Sequence, residues 1–178
     1  MAAGSAQSSS SSQIPDFALV RYNDRGRVDS GFGSAGRVTT DFFGSFDQAK
    51  AIALQSDGKI VLAGVANPDF TLANSDFALA RYSPDGSLDW TFGSGAKVIT
   101  NFLGAADEAK ALAVEPNGKL VAAGNTNGLA ALETSPSLIT TPMAASILAL
   151  VLRAKSSSTS SAALIAGMLL RSSLMARL

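Results

Sequence analysis

Between Asp16 and Gly128 the apolar positions fall in short runs or alternate with polar ones, and each run is bounded by Gly, Asn, Asp, Ser or Pro. That is the period of strands and not of helices. The pattern predicts strands over 17–22, 37–42, 50–55 and 59–65, and four more over 77–82, 97–102, 110–115 and 119–124. Asp57-Gly58 and Asn117-Gly118 each stand between two apolar runs, where a two-residue hairpin loop needs positive φ and these dipeptides supply it. Residues 23–26 and 83–86 turn the chain in the same way, with Pro84 pre-set for the first turn position. Lys50 to Gln55 and Lys110 to Glu115 are rich in Ala, a residue that by itself favours helix. The turn that follows each of them requires a strand on both sides, so strand is expected there.

The two sets of four strands are copies of one unit. Asp16-Phe17-Ala18-Leu19-Val20-Arg21-Tyr22 returns as Asp76-Phe77-Ala78-Leu79-Ala80-Arg81-Tyr82 at an offset of 60 residues. The register then holds without a gap through Gly26/Gly86, Asp29/Asp89, Phe32-Gly33/Phe92-Gly93, Val38/Val98, Asp47/Asp107, Gly58-Lys59/Gly118-Lys119 and Gly64/Gly124. A fixed period of this kind is the signature of a repeat architecture.

Four strands per unit, a period near 60 and the run DFALxRYxxxGxxDxxFG…VxTxF…DxAxAxAxxxxGKxVxAG resemble the bacterial delta-60 repeat, a β-propeller repeat family. The resemblance covers 16–128, nearly two copies, divided here as repeat 1 over 16–75 and repeat 2 over 76–128. It implies an all-β fold, a partial β-propeller of antiparallel four-stranded blades, of a kind usual in long secreted or cell-surface proteins. It defines no catalytic residues. It also implies that the Ala-rich strand is innermost and opens a blade, so that one full blade runs from about Asp47 to Phe102 with a half blade on either side. Two units fall short of the four to eight blades that close a propeller.

The flanks are unlike the middle. Residues 1–15, with Ser8 to Ser12, are small and polar, without the basic start and apolar run of a secretory signal. They are expected to form a flexible tail. After Asn127 a third DFALARY is due near position 136, but residues 129–178 run instead in Ala, Leu, Ser and Met. The apolar stretches Met143–Leu152 and Ala162–Leu170 are too short for a membrane span of roughly 20 residues, and no membrane partner is expected. Displacing the reading frame of this tail by one base offers a different account. Met has a single codon, so Met143-Ala144 and Met175-Ala176 each force a glycine in the other frame. Those glycines stand 32 residues apart, as do Gly26 and Gly58, and Gly86 and Gly118. With suitable synonymous codons, 133–140 reads DFALAHY and 171–178 reads VQSDGKI. The tail is therefore expected to be a frame-shifted third repeat, with the shift between about Gly128 and Thr134, and to be non-native or disordered.

Composition removes a good deal of chemistry. The chain has 14 Lys plus Arg against 14 Asp plus Glu, and neither His nor Cys. An imidazole base, a thiolate nucleophile, a disulfide and a zinc site of N/S ligands are all excluded. Asp24, Asp57, Asp85, Asp107 and Glu108, placed in loops by the pattern, offer calcium-type oxygens, but without an EF-hand-like or nonapeptide spacing. Turn chemistry explains Asp57, and strand entry explains Asp16 and Asp76. Asp47 and Asp107 could pair for acid–base work, yet a residue repeated in every blade reads as structural. Phe17, Phe32, Phe42 and Tyr22 with their copies, and Trp90, read as blade-to-blade packing. Gly33-Ser34 and Gly93-Ser94-Gly95 lack the Gly-Lys-Ser/Thr of a phosphate loop, and the basic residues form no phosphate-tracking stripe.

The expectation is accordingly no catalytic residue, no metal, no cofactor and no nucleic-acid partner. The parent is expected to be a non-enzymatic secreted or surface protein that binds a protein or carbohydrate or serves as a scaffold. The alternative is an enzymatic propeller with a carboxylate site at the blade axis. Open blade edges and the apolar tail are expected to drive self-association, reduced by deleting 129–178.

Overall fold

The computed structural model describes residues 1–7, 14–70, 72–102, 106–126, 138–140 and 147–151. The fold is all-β, with strands β1 (Ala2–Gln7), β2 (Pro15–Val20), β3 (Arg37–Thr40), β4 (Asp47–Leu54), β5 (Ile60–Ala66), β6 (Asp76–Tyr82), β7 (Lys97–Thr100), β8 (Asp107–Val114), β9 (Leu120–Thr126), β10 (Leu138–Thr140) and β11 (Ile147–Val151). They build three sheets, ordered β1-β2-β3, β4-β5-β6-β7 and β10-β11-β9-β8. The central sheet is an antiparallel meander of four strands, one complete blade from Asp47 to Thr100. The arrangement is that of a partial β-propeller. Among the described residues no helix is long and apolar enough to cross a membrane.

The central blade is covered on both faces, which explains why β5 is buried at every position. Ile60 and Leu62 with Ala78, Ala80 and Tyr82 face the first sheet, where they meet Phe17, Leu19 and Phe32. Val61 and Ala63 with Phe77 and Leu79 face the third, where they meet Phe92, Phe102, Ala109, Leu120 and Ala122. Alternation along each strand divides the side chains between the two cores.

The Ala-rich segments are strands, because tertiary packing overrides helix propensity. They begin earlier than the pattern predicted, at Asp47 and Asp107, and each carries a bulge between Ala49 and Ala51 or between Ala109 and Ala111. The bulge presses the backbone onto the neighbouring strand. A Cβ on Gly64 would stand 2.0 Å from the Gln48 carbonyl oxygen, and one on Gly124 1.8 Å from that of Glu108. Glycine is required at both positions.

The hairpin turns differ from the expected two-residue loops. At Asp57-Gly58 only the glycine has positive φ, +83°, whereas a type I′ turn needs it at both central residues. Gly58 N–H donates to Gln55 O at 3.0 Å and Gln55 N–H to Lys59 O at 2.8 Å, which closes a three-residue loop with a left-handed glycine. Asn117-Gly118 repeats it, with Gly118 N–H on Glu115 O at 2.9 Å.

The flexible tail expected over residues 1–15 is corrected at Ala2–Gln7, which pairs antiparallel with β2 from Ala2↔Val20 to Gln7↔Pro15. Ala3, Gly4 and Ala6 keep the 60-residue register with Ala63, Gly64 and Ala66, and Gly4↔Ala18 matches Gly64↔Ala78. β1 is the second strand of a blade, written in small residues. Ser8 to Gln13 lies outside the described residues. Of the non-native or disordered tail expected over 129–178 two segments are described, and their pairing is not that of a blade: β10 pairs antiparallel with β11, and β11 runs parallel to β9. A blade would place an antiparallel strand there, as β6 lies on β5. The remainder of 129–178, and with it the rest of the expected third repeat, lies outside the described residues.

Candidate functional site

In an antiparallel meander the hairpins β4–β5 and β6–β7 close one end of the blade, so the β5–β6 loop and the crossovers β3–β4 and β7–β8 share the other. Asp16, Asp41, Asp47, Asp76 and Asp107 all lie at this crossover end, at strand starts or just past strand ends. The carboxylates of Asp16, Asp41 and Asp47 each bring an oxygen within 4.8 Å of the others.

Each carboxylate has a local task. Asp47 is fully buried, and its Oδ2 accepts the Phe42 N–H at 2.7 Å, ordering the crossover between blades. Asp107 is also fully buried, and its Oδ2 accepts the Phe102 N–H at 2.5 Å. Asp41 Oδ1 accepts the Gly44 N–H at 2.6 Å. The Lys97 ammonium reaches the Asp41 carbonyl from the next blade and lies 5.2 Å from the centre of the Phe42 ring.

Two of these carboxyls, those of Asp47 and Asp16, are pushed up. Burial pushes Asp47 up to about 7 against the pull of the Phe42 and Asn67 N–H groups, and Asp41 and Asp16 add to the rise. Burial also raises Asp16, with Asp41 adding and Lys97 opposing. At the next junction Asn101 replaces Asp41 and donates to Asp76 Oδ1 at 2.7 Å. Burial raises Asp76 and Asp107 there too. Three carboxylates are about half of the six to eight oxygens that calcium takes. The ammonium of Lys97 already supplies positive charge beside them, and the donor set is a poor fit to that ion.

The other sequence candidates lie elsewhere. Asp107 and Glu108 are in β8 and not in a loop, because the strand starts earlier than expected; Glu108 pairs with Lys50 at 3.2 Å and Lys110 at 3.4 Å. Asp57 Oδ1 accepts the Lys59 N–H at 3.1 Å, and Asp85 Oδ1 accepts the N–H and hydroxyl of Ser87 at 2.9 and 2.7 Å. Asp24 is exposed in a turn. Of the aromatics read as packing, Phe17, Phe32, Phe77, Phe92, Phe102 and Tyr82 are buried. Tyr22 and Trp90 are exposed: among the described residues no blade covers the face of Tyr22, and Trp90 stands where the first repeat has Ser30.

The repeated Arg, Asp and Phe form a unit that sequence reading recorded without explaining. Arg81 Nε donates to Asp89 Oδ2 at 2.8 Å, and its guanidinium lies 4.6 Å from the centre of the Phe92 ring. Arg21 does the same with Asp29 at 2.8 Å and with Phe32 at 4.5 Å. Burial raises Asp89, but Thr91, Lys59 and Arg81 outweigh it and hold the carboxyl well below the usual range. The unit locks the long turn between the third and fourth strands of each blade.

Besides Trp90, two exposed aromatics depart from the repeat. Phe70 in the β5–β6 loop has φ +62°, a conformation that is strained for a bulky residue, and one period earlier the chain has Ser10. Phe43 lies in the β3–β4 crossover at the same end, where the second repeat has Leu103. Asp69, beside Phe70, accepts the Asn74 side chain at 2.5 Å. A family model described as a β-propeller domain of unknown function, DUF5122, matches residues 55–92, which include β5, β6 and the Arg81–Asp89–Phe92 unit. No curated protein matches the chain.

Proposed function

We propose that the chain is a non-enzymatic β-propeller repeat fragment, from a parent that is a secreted or cell-surface binding or scaffold protein and binds a protein or carbohydrate through the crossover end. One observation carries this reading: the repeated polar and aromatic residues are used in packing and turns, whereas two of the three exposed aromatics that break the repeat, Phe70 and Phe43, share the crossover end, Trp90 lying at the hairpin end. Flat aromatic faces beside carboxylates suit sugars and peptides alike. Titration of the full chain against glycan and peptide libraries tests it. Binding that falls at least tenfold in Phe70→Ala supports the reading, and binding unchanged in both Phe70→Ala and Phe43→Ala refutes it.

The raised pKa of Asp47 favours a second reading, an enzymatic propeller in which that carboxyl is a proton donor. Its complete burial keeps it from a substrate in this arrangement, so the binding reading is preferred. We further propose that 133–178 is a delta-60 repeat read in the wrong frame. The coding DNA tests it: Asp-Gly codons at Met143 and Asp-Gly-Lys codons at Met175 in the other frame support the proposal, and their absence refutes it.

A further inference from the structure

The chain contains two strands built for the same place. Ala2, Ala3 and Gly4 of β1 are the residues Ala122, Ala123 and Gly124 of β9, two repeats apart. β1 pairs with β2 through Ala2↔Val20 and Gly4↔Ala18, the register in which β5 pairs with β6 through Leu62↔Ala80 and Gly64↔Ala78. β9 continues that register, but among the described residues no third blade strand pairs with it and it lies instead beside parallel β11.

The uncovered faces match in the same way. Between the first two blades the Tyr82 hydroxyl meets Thr40 Oγ1 at 2.7 Å, Arg21 donates to the Pro84 carbonyl at 2.6 Å, and Gly33 N–H donates to the Asp85 carbonyl at 2.8 Å. One repeat back, Tyr22 is 45% exposed where Tyr82 is 1% exposed, and Gly26 has open space where Gly86 abuts Phe32. One repeat forward, Thr100, Arg81 and Gly93 repeat Thr40, Arg21 and Gly33 on the far face of the central blade. The two surfaces needed to continue the interface are both on this chain, at opposite ends.

We propose that copies of this chain assemble head to tail by sharing a blade, in which β8 and β9 of one copy are completed by β2 and β3 of the next. β9 replaces β1 on the second copy's β2 and gives up β11. Ala122 then faces Val20 of the second copy, as Leu62 faces Ala80. Ala18, Val20 and Tyr22 of the second copy cover the far face of the central blade. Each copy contributes one blade of its own and one shared, so closed rings of about two to four copies give the four to eight blades of a propeller. A heterologous contact that closes makes a ring, and one that does not makes a filament.

The cysteine-free chain permits a clean test. Full-length Val20→Cys and Ala122→Cys chains are mixed and oxidised, with the doubly substituted Ala2→Cys/Val20→Cys chain as the control for pairing geometry within one copy. A mixed covalent dimer, with sedimentation of the unsubstituted chain as discrete dimers to tetramers, is expected. Ala3→Pro, which weakens β1, is expected to raise the assembled fraction severalfold. A chain that stays monomeric at high micromolar concentration, with crosslinking confined to the control, overturns the proposal. So does crosslinking of Val20→Cys to itself alone, which would place β2 edges together.

Discussion

Replacing Asp47 by asparagine tests the crossover cluster most directly. The side chain is fully buried, and its carboxyl sits at about 7 instead of the ordinary 3.8. A raised carboxyl pKa means that the folded chain holds a proton which the unfolded chain releases above about pH 4. Stability from this group is therefore greatest at low pH, is lost as the pH rises from about 4 to about 7, and falls no further once both states are ionised. At 1.36 kcal/mol per pKa unit the loss is about 4 kcal/mol. The amide introduced by Asp47→Asn keeps an oxygen for the Phe42 N–H and has no charge to bury. Urea unfolding followed by circular dichroism from pH 4 to pH 8 should show the parent chain losing about 4 kcal/mol relative to Asp47→Asn. Asp76 and Asp107, at the other junction, titrate in the same direction in both proteins and cancel in the difference. Stability curves that stay parallel across this range would show that Asp47 does not carry the proton and would refute the reasoning.

Three further substitutions probe the blades. Gly64→Ala should cost about 2–4 kcal/mol in urea unfolding, because its Cβ would meet backbone and not a yielding side chain. Tyr82→Phe should cost about 1 kcal/mol through the lost bond to Thr40, and Tyr22→Phe almost nothing in the monomeric chain; equal effects would show that the contact between blades is not the cause. Arg81→Lys should lower stability by about 1–2 kcal/mol, since an ammonium cannot both stack on Phe92 and hold Asp89 in the same geometry; a neutral result by thermal unfolding would count against the three-residue unit.

The blade was legible because duplication writes each strand twice. Phe77 to Tyr82 and its copy announce one strand, and the turn glycines fix the ends. β1 was not legible, since Ala2 to Gln7 carries no large apolar residue and takes its place by pairing with β2 and lying against β4. The true starts of β4 and β8 were hidden by the bulges at Ala49 and Ala109, which break the alternation that periodicity relies on. The turn type at Asp57-Gly58 depends on one φ angle that the dipeptide does not specify. Of the candidate site, Asp47 and Asp107 stood out by recurrence. The convergence of Asp47 with Asp16 and Asp41 did not, because it joins the ends of strands from different parts of the chain. Nor did the exposure of Phe70, which follows from a loop of repeat length whose residues are not those of the repeat.

The missing side chain at Gly86 has a consequence for angle. A Cβ there would stand 2.9 Å from the Gly33 nitrogen and 2.9 Å from the Phe32 ring, so bare backbone is what lets the outer rims of two blades come this close. Neighbouring blades are wedges, and their spacing at the rim relative to the hub sets the rotation from one to the next. A ring of six blades turns through about 60° per step, and one of seven through about 51°. Filling Gly86 would push the rims apart while the hub strands stayed in contact. Such a change would favour wider steps and fewer blades, so the circumference of any ring built from this unit is governed in part by one absent methyl group.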